Sequence, residues 1–214
     1  MLNKGIWTSA TKRYSHSTQE AGITHVPVLV TIDTPLLKDT YLDFGATTTN
    51  YGTNTTFLIT QVGDSFDKRP LLKLDVSTVP TSVLLESASL VLNCSALSAS
   101  PIFLDLYLIL RSSWVETEAT WNIYKTANNW TTAGAGSDGN DYQASPKLAS
   151  TYTLSATGQQ IIPFTLSEFN KFVSGTYPST DMIIRSGGVG TATFSSLNHG
   201  TSNLRPFTRV TYYV

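Results

Sequence analysis

Apolar and polar residues alternate along much of this chain. A period of two is found in three segments, residues 72–76, 88–94 and 102–111. Successive side chains of a β-strand point to opposite faces, so each segment is predicted to form a strand with one face in a core. The same reasoning predicts further strands over residues 24–32, 148–154, 159–164, 181–185, 191–195 and 205–213.

One segment has a helical period instead. Its apolar residues fall on one stripe of a helix, and they are Leu166, Phe169, Phe172 and Val173. Thr165 and Glu168 have the spacing of a capping box, in which the Thr165 hydroxyl accepts from the Glu168 amide and the Glu168 carboxylate reaches back. Gly175 suits the left-handed position that ends a helix. We therefore predict one short helix.

Many strands, one helix and no alternation of strands with helices predict an all-β protein, an antiparallel β-sandwich with jelly-roll-like topology. Residues 1–38 are predicted to be an N-terminal arm followed by a strand, which ends at the turn signal Asp33-Thr-Pro35. Residues 39–214 are predicted to form the sandwich. The stretch 133–141, rich in Gly, Ser and Asn, is predicted to be a long loop inside this domain.

Charge and composition exclude several classes of protein. The 214 residues carry 14 Lys and Arg against 15 Asp and Glu, so no excess of positive charge favours nucleic acid or an anionic membrane. Charged residues make up 14%, below the usual ~25%, while Ser and Thr make up about a quarter. The lone Cys94 lies on an apolar face and is interpreted as a small buried residue.

Three patterns were weighed for a cofactor, a metal or a nucleophile. The segment Gly134-Ala-Gly136-Ser-Asp-Gly139 has dinucleotide-binding spacing, but no helix is predicted after it, so we interpret it as a loop. Pairs of aspartates that could donate oxygens to a structural calcium ion are Asp64 with Asp67 and Asp138 with Asp141, although ordinary turns are favoured. The histidines, which lack metal-ligand spacing, are His16, His25 and His199. No cofactor is predicted.

Two acids beside tryptophans are the best candidates for catalysis. Glu116 and Glu118 lie close to Trp114 and Trp121, and glycoside hydrolysis uses two carboxylates. Residues two apart on a strand share one face, however, and give no opposed pair. We predict no catalytic residues.

Aromatic residues are concentrated between positions 114 and 142, and they are Trp114, Trp121, Tyr124, Trp130 and Tyr142. Flat rings stack on sugars while amides and acids bind hydroxyl groups, so these residues form a candidate glycan-binding platform. The alternative, which we favour, is that the tryptophans anchor the long loop onto the sandwich.

Several ordered motifs give the chain a family resemblance from residue 39 to residue 214. They are Asp39-Thr-Tyr-Leu, Asn50-Tyr-Gly52, Arg69-Pro-Leu-Leu-Lys-Leu-Asp75, Glu86-Ser-Ala-Ser-Leu90, Trp114-Val-Glu-Thr-Glu-Ala-Thr-Trp-Asn122, Trp130-Thr-Thr-Ala-Gly134, Phe172-Val-Ser-Gly175, Ile184-Arg-Ser-Gly187, Phe194-Ser-Ser and Arg205-Pro-Phe-Thr-Arg-Val-Thr-Tyr212. The chain resembles the DNRLRE domain family, β-sandwich modules related to alginate-type carbohydrate-binding modules. The resemblance implies a jelly-roll-like sandwich with a non-catalytic role.

Family members usually lie in secreted multidomain proteins, whereas this chain shows no signal peptide and has the additional segment 1–38. We therefore expect a structural or decoration protein of a bacteriophage virion, on capsid or tail, made in the host cytoplasm. Its partners would be other virion proteins or copies of itself, joined through Ile6, Trp7 and Tyr14 of the arm. It could also adhere to surface glycans. The alternative hypothesis is a free carbohydrate-binding module that recognises a polysaccharide.

Overall fold

The computed structural model of the protein describes residues 9–11, 26–61 and 67–214. These residues form one α-helix, α1 (Leu166–Val173), two short 3-10 helices and fifteen strands. The strands are β1 (Ser9–Thr11), β2 (Leu29–Pro35), β3 (Lys38–Asp43), β4 (Thr56–Gln61), β5 (Lys68–Lys73), β6 (Leu84–Leu97), β7 (Ile102–Ile109), β8 (Ile123–Lys125), β9 (Asn128–Asn129), β10 (Tyr142–Gln143), β11 (Tyr152–Leu154), β12 (Gly158–Pro163), β13 (Asp181–Gly187), β14 (Gly190–Ser195) and β15 (Phe207–Tyr213). Neighbouring strands pair antiparallel, which confirms the predicted all-β sandwich.

The first layer of the sandwich consists of β2, β15, β6 and β12, in that order. β15 pairs with β2 over seven residues, from Phe207 opposite Pro35 to Tyr213 opposite Leu29. The 14-residue β6 borders β15, β12 and the end of β14. The second layer consists of β3, β5, β13 and β7, and both β10 and β11 pair with the far edge of β7. β4 and β14 pair with each other and join the two layers.

The main hydrophobic core lies between the layers. Alternate residues of β6 and β7 are fully buried in it, among them Leu90, Leu92, Leu104 and Leu106. One side chain in two thus contributes to the core, as the period of two predicts. None of the helices formed by the described residues has the length and apolarity of a membrane span.

The predicted helix is present and contributes to this core. Phe169, Phe172 and Val173 are buried against it, and Gly175 has the left-handed φ of 72° expected after the last turn. The predicted capping box is wrong: the Thr165 side chain makes no capping hydrogen bond.

The Glu168 carboxylate turns away from the helix start. It accepts from Lys171 Nζ at 2.9 Å and from the Tyr177 hydroxyl. Lys171 and Tyr177 therefore bind the carboxylate that would otherwise complete a capping box.

The N-terminal part of the sandwich differs from the sequence prediction. The strand that was expected to end before Asp33-Thr-Pro35 continues through these three residues as part of β2. Strands β3 and β4 were not predicted. The expected assembly residues Ile6, Trp7 and Tyr14 lie outside the described residues.

Candidate functional site

Much of the second layer is buried on both faces. On β5, Leu72 points into the main core while its neighbour Leu71 points to the opposite face. On β13, Ile184 and Ile183 divide in the same way. We call the connection between β7 and β11, residues 110–151, the cover segment, because its side chains complete a second hydrophobic core on this outer face.

Three tryptophans of the cover segment form most of that second core. Trp114, Trp121 and Trp130 are 1%, 6% and 4% exposed. Trp114 Nε1 donates to Asp181 Oδ1 at 2.9 Å, and Trp130 Nε1 donates to the Thr120 carbonyl at 2.9 Å. Trp114 and Trp130 thus bury their rings and still satisfy their N–H groups. The burial of these indoles does not suit a binding platform and agrees with the alternative that we favour, in which the tryptophans anchor the loop onto the sandwich.

A buried carboxylate organises the middle of the cover segment. Asp141 is fully buried, and it accepts hydrogen bonds from the backbone N–H groups of Thr131, Thr132 and Ser137 at 2.8, 2.9 and 3.1 Å. Burial alone would raise the pKa of Asp141, but the N–H donors outweigh it and hold the pKa below its usual value. These bonds occupy both oxygens, so Asp141 serves as a structural centre of the loop.

The glycine-rich stretch packs directly on an indole. A Cβ on Gly134 would lie 2.5 Å from the Trp121 ring, and the Gly134 φ is 73°. The Gly134 carbonyl accepts from Arg69 Nη1 at 2.7 Å, while the Arg69 guanidinium lies 4.7 Å from the Trp121 ring centroid. The strand β10 follows this stretch, so the dinucleotide-like spacing reflects loop packing, as we interpreted it.

The two acids weighed for catalysis accept backbone hydrogen bonds, one from strand β3 and one from the turn after β8. Glu116 Oε1 accepts from the Asp39 amide at 2.8 Å, and Glu118 Oε2 accepts from the Thr126 amide at 2.7 Å. Burial raises the pKa of Asp39 to about 7, and the neighbouring Glu116 adds to this effect.

Of the aspartates considered as calcium ligands, Asp67, Asp138 and Asp141 lie within the described residues. Asp138 Oδ1 accepts from the Ala144 amide at 2.8 Å, which is an ordinary turn contact. Asp64 lies outside the described residues. Among the residues that are described, no group of three or more His, Cys, Asp or Glu side chains could hold a metal ion.

The cover segment leaves part of the outer face open, and this part carries aromatic rings and positive charge. The Tyr107 and Tyr142 rings meet edge to face, with centroids 5.4 Å apart. The Arg185 guanidinium lies 4.8 Å from the Tyr142 centroid. We call the surface made by Arg69, Tyr107, Tyr142, Lys147 and Arg185 the basic–aromatic patch. The side chain of Arg69 is mostly buried, with 12% exposed, and the other four residues are half-buried.

Most charges around the patch are already paired. Arg69 Nη2 lies 2.6 Å from Asp67 Oδ2, and Lys147 Nζ lies 2.8 Å from Asp105 Oδ1. No carboxylate of residues 9–11, 26–61 and 67–214 forms an ion pair with Arg185. Burial, together with repulsion from Arg185, lowers the pKa of Arg69. The patch therefore has one positive charge, that of Arg185, which contacts an aromatic ring but forms no ion pair with a carboxylate of the described chain.

Of the five aromatic residues in the predicted platform, the tyrosines are the accessible ones. Tyr142 belongs to the patch, while the half-buried Tyr124 packs against Trp130, with centroids 5.5 Å apart. The sequence reasoning missed Arg185, Tyr107 and Arg69. A signal for them was present, because Tyr107 occupies a polar position of an alternating strand and both arginines occur in the family motifs.

A family model, described as carbohydrate-binding module family 96, matches residues 31–142, just over half of the chain. The chain belongs to carbohydrate-binding module family 96. Its match spans β2 to the start of β10 and includes Arg69, Tyr107 and Tyr142, whereas Arg185 lies beyond it.

Membership of family 96 supports the carbohydrate-binding part of the resemblance stated above, under a different family name from DNRLRE. Such a module binds and does not catalyse, in agreement with the absence of predicted catalytic residues. The comparison with curated proteins gives no match.

Proposed function

We propose that this family 96 module binds an acidic polysaccharide through the basic–aromatic patch. The observation that supports this most is the Arg185 guanidinium, which lies on Tyr142 and forms no ion pair with a described carboxylate. A guanidinium presents several N–H donors in a plane and matches the two oxygens of a carboxylate. Uronic acid residues of a polysaccharide carry that group.

The contact with Tyr142 positions the Arg185 guanidinium on the outer face of the second layer. The tyrosine below it is held by β10 pairing with β7 and by the edge contact with Tyr107. Because the side chain is already positioned, little conformational entropy is lost when a ligand binds. The surface lies on a sheet, so an extended polymer can pass across it.

The experiment compares two arginines on opposite layers of the sandwich. Arg185→Ala removes the cation of the patch that forms no ion pair with a described carboxylate. Arg209→Ala is the matched control, because Arg209 lies on β15 and forms an ion pair with Asp33 at 2.8 Å. Binding of alginate and polygalacturonate, with mannan and xylan as neutral polymers, is measured by calorimetry. A hydrogen bond to a charged group contributes about 1.5–3 kcal/mol, so Arg185→Ala should weaken acidic polymers roughly ten- to hundredfold.

Two further results separate this proposal from nonspecific attraction. Arg209→Ala should leave the affinity unchanged, and added salt should weaken the binding of acidic polymers, since exposed charges are screened. Equal losses in the two variants would contradict the patch as the binding surface. Preference of the wild-type protein for the neutral polymers would contradict the proposed ligand class.

Residence on a phage virion stays a prediction. It is tested by deletion of residues 2–25, which retains β2 within the sandwich. Normal incorporation of the shortened chain into particles would refute assembly through Ile6, Trp7 and Tyr14.

A further inference from the structure

A second concave surface lies on the cover segment and shares no residue with the basic–aromatic patch. It is a cleft of about 490 Å³. Its lining comes from the loop before β4, the segment that leads into β8, and the end of β9 with the residues after it. It consists of Thr48, Thr120, Asn122, Ile123, Asn129, Trp130 and Ala133. Sites for small organic molecules have volumes of about 300–1,000 Å³, and this cleft falls within that range.

Backbone hydrogen bonds fix the walls of the cleft relative to one another. The Asn122 amide donates to the Thr47 carbonyl at 3.2 Å, which ties the cover segment to the loop before β4. The Trp130 amide donates to the Asn122 carbonyl at 3.2 Å, and the Trp130 indole donates to the Thr120 carbonyl. The cleft is therefore formed before any ligand binds.

The lining is uncharged but retains unused hydrogen-bonding groups. The side chains of Asn122, Asn129 and Thr48 are exposed, and among the described residues none of them has a hydrogen-bonding partner. By contrast, the neighbouring Asn128 uses its amide on the Thr126 carbonyl and the Tyr124 hydroxyl. An amide offers donors and an acceptor on one plane, which suits two adjacent hydroxyl groups of a sugar.

The apolar part of the cleft completes this chemistry. Ile123 is half-buried, and Trp130 contributes the small exposed part of its side chain. A sugar ring has apolar C–H faces between its hydroxyl groups, whereas an anion would find no cation here and an apolar ligand would leave the amides unpaired. We propose that this cleft is a second saccharide-binding site, one that takes an uncharged sugar residue.

The test uses the side-chain amide signals of the isotopically labelled full chain. The protein is titrated with cellotetraose, xylotetraose, mannotetraose and galactotetraose, and the Asn122 and Asn129 side-chain signals are followed by NMR. At least one of these neutral oligosaccharides should shift both signals in a saturable way. Failure of all four to produce a saturable shift would overturn the proposal.

Variants then assign the binding to the cleft. The Asn122→Ala, Asn129→Ala double variant should bind that oligosaccharide about tenfold more weakly or worse, as expected for the loss of two side-chain hydrogen bonds. Asn203→Ala, the matched control, changes an exposed asparagine in the 3-10 helix Ser202–Leu204 and should bind as the wild type. Asn129→Ala alone provides a smaller change and should show a partial loss.

The two sites are distinguished when each variant is tested with the ligand of the other site. Arg185→Ala should leave the neutral oligosaccharide bound, and the double asparagine variant should leave acidic polymers bound. Loss of the neutral ligand in Arg185→Ala with retention in the double variant would place both ligands on the patch and refute the second site. Equal losses in Asn203→Ala and the double variant would refute it as well.

Discussion

Replacement of Asp141 by asparagine tests whether one carboxylate holds the cover segment together. The substitution keeps the size of the side chain but removes its charge and one of its two acceptor oxygens. Three backbone N–H groups, those of Thr131, Thr132 and Ser137, then compete for a single amide oxygen and face an NH₂ group. An N–H group that faces another donor loses its hydrogen bond.

The structure sets the expected size of the effect. Hydrogen bonds to a charged acceptor contribute about 1.5–3 kcal/mol each. Thr131 and Thr132 are exposed, so water can serve their N–H groups in the variant. We therefore expect Asp141→Asn to lower the free energy of unfolding by about 3 kcal/mol, below the full loss of three bonds. Asp138→Asn, which affects one exposed bond of the same loop, should cost less than about 1 kcal/mol.

The pH dependence gives a sharper criterion. The native pKa of Asp141 is lowered, so its contribution to stability is fully present above the unfolded value of about 4 and is lost as the pH falls through the native pKa. Urea unfolding followed by tryptophan fluorescence, at pH 7 and at successively lower pH, measures the difference between wild type and variant. A deficit below about 1 kcal/mol, or one that stays unchanged in strong acid, would refute the reasoning.

Two other substitutions test buried contacts. The pKa of Asp39 is raised to about 7 in the native state from 3.8, so between these values the native state keeps a proton that the unfolded state loses. The contribution of Asp39 to the free energy of unfolding should therefore fall by about 1.4 kcal/mol per pH unit between pH 4 and pH 7. Asp39→Asn should remove this slope in urea unfolding, and an identical slope in the variant would contradict the assignment. Gly134→Ala adds a Cβ 2.5 Å from the Trp121 ring and should destabilise by about 3 kcal/mol in thermal unfolding, whereas Gly139→Ala, with a similar φ of 77° and open space around it, should cost about 1 kcal/mol. Equal losses of stability at the two glycines would show that the Trp121 ring moves to make room for the new Cβ, and would contradict this prediction.

The sequence predicted the strands that are buried on one face. Strands β6 and β15 alternate because water covers one of their faces, and β7 alternates because polar residues occupy the part of its outer face that the cover segment leaves open, so the period of two was enough to find all three. β3 was missed because five of its six residues are buried, Asp39 and Asp43 among them, so that burial and polarity do not coincide. Tertiary contacts, such as the Leu197 amide that donates to Asp39, determine this strand.

The second core could also have been inferred from the sequence, although we did not do so. Adjacent apolar pairs, Leu71 with Leu72 and Ile183 with Ile184, are typical of strands buried on both faces. They indicate that something must cover the outer face, and the tryptophans of the cover segment are the residues available. The patch itself depends on which part of that face stays open, and this follows from the path of the loop, which no local pattern encodes.

The pairing of β2 with β15 determines how the domain responds to tension. Val28 and Val214 exchange backbone hydrogen bonds of 3.0 and 2.9 Å at the end of this ladder. A pulling force applied at these two residues acts at one corner of the sandwich, so it would peel the two strands apart one bond after another. Shearing, in which a whole ladder resists at once, would require attachment at opposite ends. Tension applied through these two points would therefore meet less resistance than tension applied at opposite ends of the same ladder.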